Sequence, residues 1–401
     1  MAFKTSQDGL GGHIEKYSMG IDAENAFSSG VADTTTATFE TKVEFSANAG
    51  RGVALAPNRI VTGVPDTNGG QGSFYIHDWA GNVIVNLPSM TNYVSSLSND
   101  QFGYEVAAGH GLIAIAGPQP IAYTTRVGRV VILDYDGVFQ YELNPSDGVN
   151  DDRFGWRMKI RHNKIYVSAP QGYSVAGGKL YIYDLDGSNE VIVDGQDIET
   201  GVEGFAAGMT VGDNHILATG RKTDGFNAVY VLDIHGNYIR TITASTSNTN
   251  FGGYGANTLD RSLAEGAGLF AITGVDEIFL YDYSGNLVNT IVGTQPSNYF
   301  GYSVVIDKNR IIAGEIYNDQ IASNQGKVWI YDFDGNIVGS ILPSDNITSA
   351  LGFGHNIDVL GNKILVGMPN LSRLTGSYLY DYPSPTKSAL DVAAFYNRYG
   401  N

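Results

Sequence analysis

The sequence predicts an all-β protein, a seven-bladed β-propeller whose blades are four-stranded antiparallel sheets. Three observations predict it. A segment that opens with Phe-Gly, or a close variant, recurs seven times along the 401 residues. In each copy a hydrophobic strand that ends in aspartate follows further along the chain. A strand-like run without a partner precedes the first copy, and the last copy lacks a run of the same kind after its aspartate.

The repeat is clearest in four segments, which read FGYEVAAGHGLIAIAGP from Phe102, FGWRMKIRHNKIYVSAP from Phe154, FGYSVVIDKNRIIAGE from Phe300 and FGHNIDVLGNKILVGMP from Phe353. With substitutions, the same frame begins at residues 49, 205 and 251, so successive starts are 46 to 53 residues apart. Self-similarity with a period of this length is typical of solenoids and propellers.

The second landmark of each repeat is an aspartate, two variable residues and a glycine between apolar runs. The aspartates are Asp78, Asp134, Asp184, Asp233, Asp282 and Asp332, and the seventh, Asp381, lacks the glycine. This pattern predicts a hairpin, because glycine accepts the positive φ that a tight turn needs. Each repeat then holds a strand from the Phe-Gly pair, a strand into a Gly-Ala-Pro-like turn, a strand ending at the aspartate and a strand after the turn. Four short antiparallel strands make one propeller blade.

The run TATFETKVEFSANAG, residues 36–50, predicts how the ring closes. Blades bury their faces only by stacking on neighbours. We expect residues 38–46 to complete the last blade as its outer strand. The chain then divides into an N-terminal arm (1–35), the propeller (36–382) and a C-terminal arm (383–401). The second arm reads KSALDVAAFYNRYGN towards its end, which fits a short helix with Leu390, Ala393 and Ala394 on one face.

Composition excludes several classes of function. The formal net charge is −17 with a pI near 4.7, which disfavours binding to nucleic acid or anionic lipid, because phosphate contacts need lysine and arginine. No apolar run is long enough for membrane insertion as a helix. The chain has no cysteine, so it has neither disulfides nor thiolate metal sites.

The repeats resemble the FG-GAP family, which is also found in integrin α-subunit heads and in many bacterial and viral proteins. The junction before the Phe-Gly pair is similar to the bacterial type of repeat, as in LNPSDGVNDDRFG (residues 143–155) and ILPSDNITSALGFG (residues 341–354). The resemblance covers about residues 36–382. It implies a propeller fold and leaves the function open.

In integrin-like members of that family a hairpin loop binds calcium, which needs six or more oxygen ligands. Three loops keep part of that pattern and are the calcium candidates: Asp134 with Asp136, Asp184 with Asp186, and Asp332 with Asp334. None has a third aspartate at the required spacing. The alternative is that Asp-x-Asp-Gly forms a turn whose carboxylates accept backbone hydrogen bonds, and the incomplete ligand set favours it.

Aromatic residues follow the Phe-Gly pair in three repeats. They are Tyr104, Trp156 and Tyr302, with His355 at the same position in the last repeat. On an open face these rings would stack on a sugar or contact a protein partner. The alternative is that they pack between blades.

We expect no enzymatic activity, because the sequence contains none of the local catalytic or nucleotide-binding motifs and no acid–base pair stands out.

We expect a structural or binding scaffold. The favoured interpretation is a phage virion component, a tail, fibre or capsid-decoration protein. It would dock through its arms to virion proteins or further copies and contact the host surface through a glycan or protein. The alternative is a bacterial secreted or cell-surface adhesion module, for which the chain shows neither a leader nor an anchor.

Overall fold

The computed structural model describes residues 37–45, 49–87, 90–94, 99–118, 127–171, 177–244, 251–253, 262–294, 299–318, 325–343, 352–369 and 375–382. Within these ranges the chain forms twenty-eight strands in seven four-stranded antiparallel sheets. Each sheet is one blade of a β-propeller, which confirms the predicted fold class. Both predicted arms, and the helix predicted in the second arm, lie outside the described residues.

The strands follow the repeat. Strand β1 (Thr38–Phe45) comes first in the chain and belongs to blade 7. Blade 1 contains β2 (Val53–Ala56), β3 (Arg59–Val64), β4 (Ser73–His77) and β5 (Val83–Leu87). Blade 2 contains β6 (Glu105–Gly109), β7 (Leu112–Gly117), β8 (Arg129–Asp134) and β9 (Phe139–Leu143). Blade 3 contains β10 (Met158–Arg161), β11 (Lys164–Ala169), β12 (Lys179–Asp184) and β13 (Val191–Asp194).

The remaining blades repeat this order from the inner to the outer strand. Blade 4 contains β14 (Met209–Val211), β15 (His215–Arg221), β16 (Asn227–Asp233) and β17 (Tyr238–Thr243). Blade 5 contains β18 (Leu263–Gly266), β19 (Leu269–Thr273), β20 (Glu277–Asp282) and β21 (Leu287–Val292). Blade 6 contains β22 (Phe300–Asp307), β23 (Arg310–Glu315), β24 (Lys327–Tyr331) and β25 (Ile337–Ile341). Blade 7 contains β26 (Asn356–Leu360), β27 (Lys363–Met368), β28 (Thr375–Asp381) and, as its outer strand, β1.

Among the residues that the structure describes, helical structure is confined to single turns between strands. These are α1 (Thr67–Gly70), α2 (Gly195–Ile198) and two 3₁₀ turns, Met90–Asn92 and Phe251–Gly253. Among the described residues, no helix has the length and the apolar composition needed to cross a membrane.

Burial differs between the strands of a blade in the way that a propeller requires. The second strand is covered on both faces by neighbouring blades, and in β7 every residue after the first is buried. It therefore reads as a continuous apolar run, LIAIAG, rather than as an alternating one. The outer strand borders solvent, and β17 begins with two exposed residues. The hydrophobic core thus lies between blades.

In blades 2, 3 and 7 the Phe-Gly pair joins the blade to the one before it. Phe154 is fully buried and forms a parallel bridge with Gly128, the residue before β8 of blade 2. A Cβ atom at Gly128 would clash with the carbonyl oxygen of Phe154, so only glycine fits there. The ring of Phe154 lies edge-to-face on Tyr181, with the centroids 5.3 Å apart. The same bridge joins Gly72 to Phe102 and Gly326 to Phe353.

The inner strands of most blades begin later than the sequence predicted. The prediction placed a strand from the Phe-Gly pair onwards, but β6 begins at Glu105 and β10 at Met158. The reason is that the phenylalanine pairs with the preceding blade and that its glycine has a positive φ, +94° at Gly155. In blade 6, β22 does begin at Phe300, with a bulge before Val304.

The ring closes through the N-terminal strand, as predicted. Strand β1 pairs antiparallel with β28, in a register that runs from Thr38 opposite Asp381 to Phe45 opposite Thr375. Val43 is buried in an apolar cluster that also contains Leu379. The first and last described segments of the chain are therefore strands of the same blade.

Removal of residues 36–46 tests this closure. We expect the free energy of unfolding to fall by roughly 5 kcal/mol or more, because a buried valine and a full row of ladder hydrogen bonds are lost together. The measurement is thermal and denaturant unfolding, with a chain lacking residues 1–35 as the control. An unfolding temperature equal to that of the control would contradict closure by β1.

Candidate functional site

The aspartate of each predicted hairpin organises a turn between the third and fourth strands. Asp282 is typical: its Oδ1 accepts a hydrogen bond from the backbone N–H of Asn286 at 2.8 Å, and its Oδ2 accepts one from the side-chain amide of Asn286 at 2.9 Å. The same pair of bonds links Asp78 to Asn82, Asp233 to Asn237 and Asp332 to Asn336. Both carboxylate oxygens of these turns already have donors.

The calcium candidates of blade 2 lie in such a turn. Oδ1 of Asp134 accepts from the backbone N–H groups of Asp136 and Val138, each at 2.9 Å. Asp136 is exposed and forms an ion pair of 2.7 Å with Arg59 of blade 1. Asp134 therefore stabilises the turn, and Asp136 links two neighbouring blades.

The other two candidate pairs lie in separate turns of blades 3 and 6. Asp184 accepts from Asn189 at 2.5 Å and pairs with Lys164, and Asp186 accepts from the hydroxyl of Ser188 at 2.6 Å. Asp334 lies exposed in the turn that Asp332 organises. In the part of the chain that the structure describes, no three His, Asp or Glu side chains converge as metal ligands would. The geometry observed in these loops is that of the turn interpretation, and calcium binding stays a prediction.

Hydrogen bonding in these turns favours the ionised carboxylates. The side-chain amide and then the backbone N–H of Asn82 lower the pKa of Asp78 below its ordinary value. Hydrogen bonds from Asn189 and Lys164 lower the pKa of Asp184. The turns are therefore held by charge-assisted hydrogen bonds at neutral pH.

The structure places the candidate partner-binding aromatics inside the blade packing. Tyr104 and Trp156 are each 3% exposed, and their ring centroids are 5.1 Å apart across blades 2 and 3. The hydroxyl of Tyr104 accepts a hydrogen bond of 2.7 Å from Arg51, whose guanidinium lies over the tyrosine ring. These residues show the geometry of the packing alternative. A sugar or protein could reach their ring faces only after displacing the neighbouring blade.

Tyr302 and His355 form a second contact of the same kind. Their ring centroids are 4.7 Å apart, and the Tyr302 hydroxyl lies 3.1 Å from Nε2 of His355, which joins blade 6 to blade 7. Tyr302 is 8% exposed. The aromatics that the sequence singled out are thus brought together in pairs, blade against blade.

The inner strands enclose a central channel with a cavity volume of about 640 Å³. Its polar groups mostly join adjacent blades. Arg157 donates a hydrogen bond of 3.0 Å to Glu105, and little of either side chain is exposed. The hydroxyl of Ser303 donates to the carbonyl oxygen of Gly354 at 2.7 Å. These bonds fasten blades 2 and 3 and blades 6 and 7 around the channel.

Two further carboxylates of the channel fasten neighbouring blades. Oδ2 of Asp358 accepts a hydrogen bond of 2.6 Å from the backbone N–H of Leu55, which joins blade 7 to blade 1. Burial raises the pKa of Asp358, and the positive charge of Lys159 in the channel opposes that shift. Glu265 of blade 5 accepts from the backbone N–H of Asn214 in blade 4 at 3.3 Å and from the hydroxyl of Tyr283.

Sequence reasoning missed these channel carboxylates. The signal available was weak: a charged residue such as Glu105 or Asp358 stands in an inner strand whose other residues are mostly apolar. The partner of each carboxylate lies in a neighbouring blade, and only the folded ring shows which residue that partner is.

The two ends of the described chain lie beside each other. Thr38 is opposite Asp381 in the sheet, and Ala37 and Tyr382 pack in the same apolar cluster. The backbone N–H of Tyr382 donates to the carbonyl oxygen of Asn362 at 2.7 Å, which holds that end against the turn between β26 and β27. Ala37 and Tyr382, the first and last described residues, therefore lie at one place on the propeller.

Comparison with known proteins shows the fold alone. No family model matches the chain, and no curated protein matches it in sequence. Among solved structures it is similar to the C-terminal WD40 domain of Sif2, with a TM-score of 0.51 and 11% sequence identity, over 87% of this chain and 99% of that chain. This similarity agrees with a β-propeller fold. It does not test the resemblance to the FG-GAP family, which stays a prediction.

The pKa of Asp78 gives a pH-dependent prediction. A carboxyl whose pKa is lowered by folding contributes stability above its unfolded pKa, about 4, and loses that contribution as the pH falls through the folded pKa. We expect Asp78→Asn to lower the unfolding temperature at pH 6 and the difference from the unsubstituted protein to shrink as the pH falls below about 4. Thermal unfolding across that range is the measurement. A difference that stays constant with pH would show that the carboxylate charge has no role in the turn.

The buried Arg157–Glu105 pair gives a second prediction. Glu105→Gln removes a counter-charge from the buried guanidinium of Arg157, so we expect a loss of about 3 kcal/mol of unfolding free energy. The control is Asp213→Asn, which removes the partner of Arg161 in a pair whose side chains are 44% and 53% exposed. That change should cost less than about 1 kcal/mol. Equal losses in urea unfolding would show that the pair does not fasten blades 2 and 3.

Proposed function

We propose that the protein is a non-enzymatic scaffold of a phage virion, a tail, fibre or capsid-decoration component. Its partners are other virion proteins and further copies of the chain, to which it docks through residues 1–36 and 383–401. A host-surface glycan or protein is the target of its exposed faces. The virion is therefore its proposed location.

The observation that carries this proposal is the common origin of the two arms. Ala37 and Tyr382 belong to one apolar cluster that contains residues of blade 6 and blade 7. The strands next to them, β1 and β28, are paired. Two segments that start at one point of a closed ring can engage one partner together, and the second contact then gains from a high effective concentration.

The closed ring supports a load-bearing role for the rest of the chain. Polar groups in the channel link blade 2 to blade 3, blade 4 to blade 5, blade 6 to blade 7 and blade 7 to blade 1. A force on either arm is transmitted to both β1 and β28, which share one sheet. The propeller thus supplies a rigid body on which the arms are mounted.

The charge of the chain indicates the chemistry of its partners. At a formal net charge of −17, the protein repels polyanions and associates most readily with neutral or basic protein surfaces. This favours contacts with structural proteins over contacts with packaged nucleic acid.

The proposal is tested on native material. We expect mass spectrometry of purified source particles to find the chain at a fixed ratio to other structural proteins. We expect a chain of residues 37–382, which retains β1 and β28, to fold but to be lost from the particles. Mass photometry of the free chain provides the control for self-association. Recovery of the native protein only as a free monomer, secreted or on a cell surface, would contradict the virion role and favour the adhesion module.

A further inference from the structure

The exposed apolar side chains of the propeller form a regular pattern. Among the described residues, eleven of the seventeen large hydrophobic residues that are exposed lie at the start of an outer strand. We call this set the apolar belt. It consists of Val83, Ile84, Val138, Phe139, Val191, Ile192, Tyr238, Ile239, Leu287, Val288 and Ile337. Scattered exposed hydrophobics are ordinary on protein surfaces, but a set repeated in six blades is not scattered.

In blades 5 and 6 a β-bulge accompanies the exposed side chains at the start of the outer strand, whereas the register of blade 3 has no such shift. In blade 5 the register shifts between Leu280 and Tyr281, so Val288 has no partner of its own on β20. In blade 6 the corresponding shift leaves Val338 unpaired, beside Ile337. A bulge re-aims side chains at a sheet edge and interrupts the ladder. The belt therefore presents side chains and is poorly suited to the addition of a further strand.

The belt is bordered by acidic turns. Each apolar pair comes directly after an aspartate turn, and Asp136, Asp186 and Asp334 are exposed there. The parts of the belt on blade 5 and blade 6 are close to each other. The side-chain amide of Asn289, two residues after Leu287, lies 3.4 Å from the carbonyl oxygen of Phe333 in the turn of blade 6. An occupant that matches this surface carries apolar side chains together with basic ones.

The described chain ends at this surface. Tyr382 is buried against blade 6, with the guanidinium of Arg310 over its ring, and a Cβ atom at Gly339 would lie 2.8 Å from its hydroxyl. Gly339 comes directly after the bulged residue Val338, which packs in the same apolar cluster as Tyr382. Tyr382, the last described residue before the segment 383–401, therefore lies against the outer strand of blade 6.

The composition of residues 383–401 matches that surface. Their charged residues are two basic and one acidic, namely Lys387, Arg398 and Asp391, on a chain that is strongly acidic elsewhere. Their large apolar and aromatic residues are Leu390, Val392, Phe395, Tyr396 and Tyr399. Residues 1–36, which start from the same cluster, contain five acidic and two basic residues and match the acidic turns less well.

We propose that residues 383–401 dock on the apolar belt of their own chain, across blade 6 and blade 5. Leu390, Phe395 and neighbouring aromatics cover the Ile337 and Leu287 pairs, and the basic residues face the aspartate turns. Nineteen extended residues span up to about 60 Å, which is ample to cross from one blade to the next. The inference goes beyond the proposed function, because it concerns where this segment lies before any partner binds.

Limited proteolysis tests the docking, because trypsin cuts after Lys387 and Arg398 within the segment. We expect both sites of the intact chain to be cut more slowly than in a free peptide of residues 383–401. Ile337→Asp, at a side chain 47% exposed, is expected to raise the cleavage rate about tenfold, since it replaces apolar burial with a charge. Leu287→Asp in blade 5 should act in the same direction and provides a second reading if Ile337→Asp does not fold.

The matched control is Val191→Asp in blade 3, where the side chain is 44% exposed and is also the first residue of the outer strand. It should leave cleavage at Lys387 and Arg398 unchanged. Equal acceleration by all three variants, or no acceleration by the blade 5 and blade 6 variants, would overturn the proposal. Protection that disappears on hundredfold dilution would also overturn it, because the segment would then lie on a second copy.

Discussion

The pairing of β1 with β28 is the contact on which the rest of the structure depends. Every blade is buried by its two neighbours, so an open array would leave two apolar blade faces in water. The closing strand comes from the opposite end of the chain, and its ladder runs from Thr38 to Phe45. Closure therefore converts seven repeats, each unable to bury its own faces, into one body with a continuous core.

Between blades the same few contacts recur. A phenylalanine that opens one repeat bridges a glycine of the preceding blade, as Phe154 does with Gly128, and its ring packs on a tyrosine of its own blade. Toward the channel, a carboxylate or hydroxyl of one blade bonds the next, as Asp358 does with the backbone of Leu55. The polar groups of the channel thereby contribute to the rigidity of the ring.

This architecture also sets where the protein can be engaged. Since the first and last described strands share a blade, Ala37 and Tyr382 lie at one position on the rim. The rim combines exposed apolar pairs with aspartate turns, whereas Tyr104 and Trp156 are buried between blades. The large apolar side chains that are exposed therefore lie mainly at the start of the outer strands, and the aromatic pairs beside the inner strands are buried.

The sequence by itself determined the number of blades, the four strands in each, the aspartate turns and the closing strand. These follow from local periodicity: a strand alternates or runs apolar, a turn needs glycine, and a repeat shows itself by its spacing. Only the tertiary structure decided that Tyr104 and Trp156 are buried against each other, that Glu105 meets Arg157 fifty-two residues away, and that Tyr382 ends against blade 6. Those contacts depend on how each blade is set against its neighbour, and periodicity along one chain carries no information about that orientation.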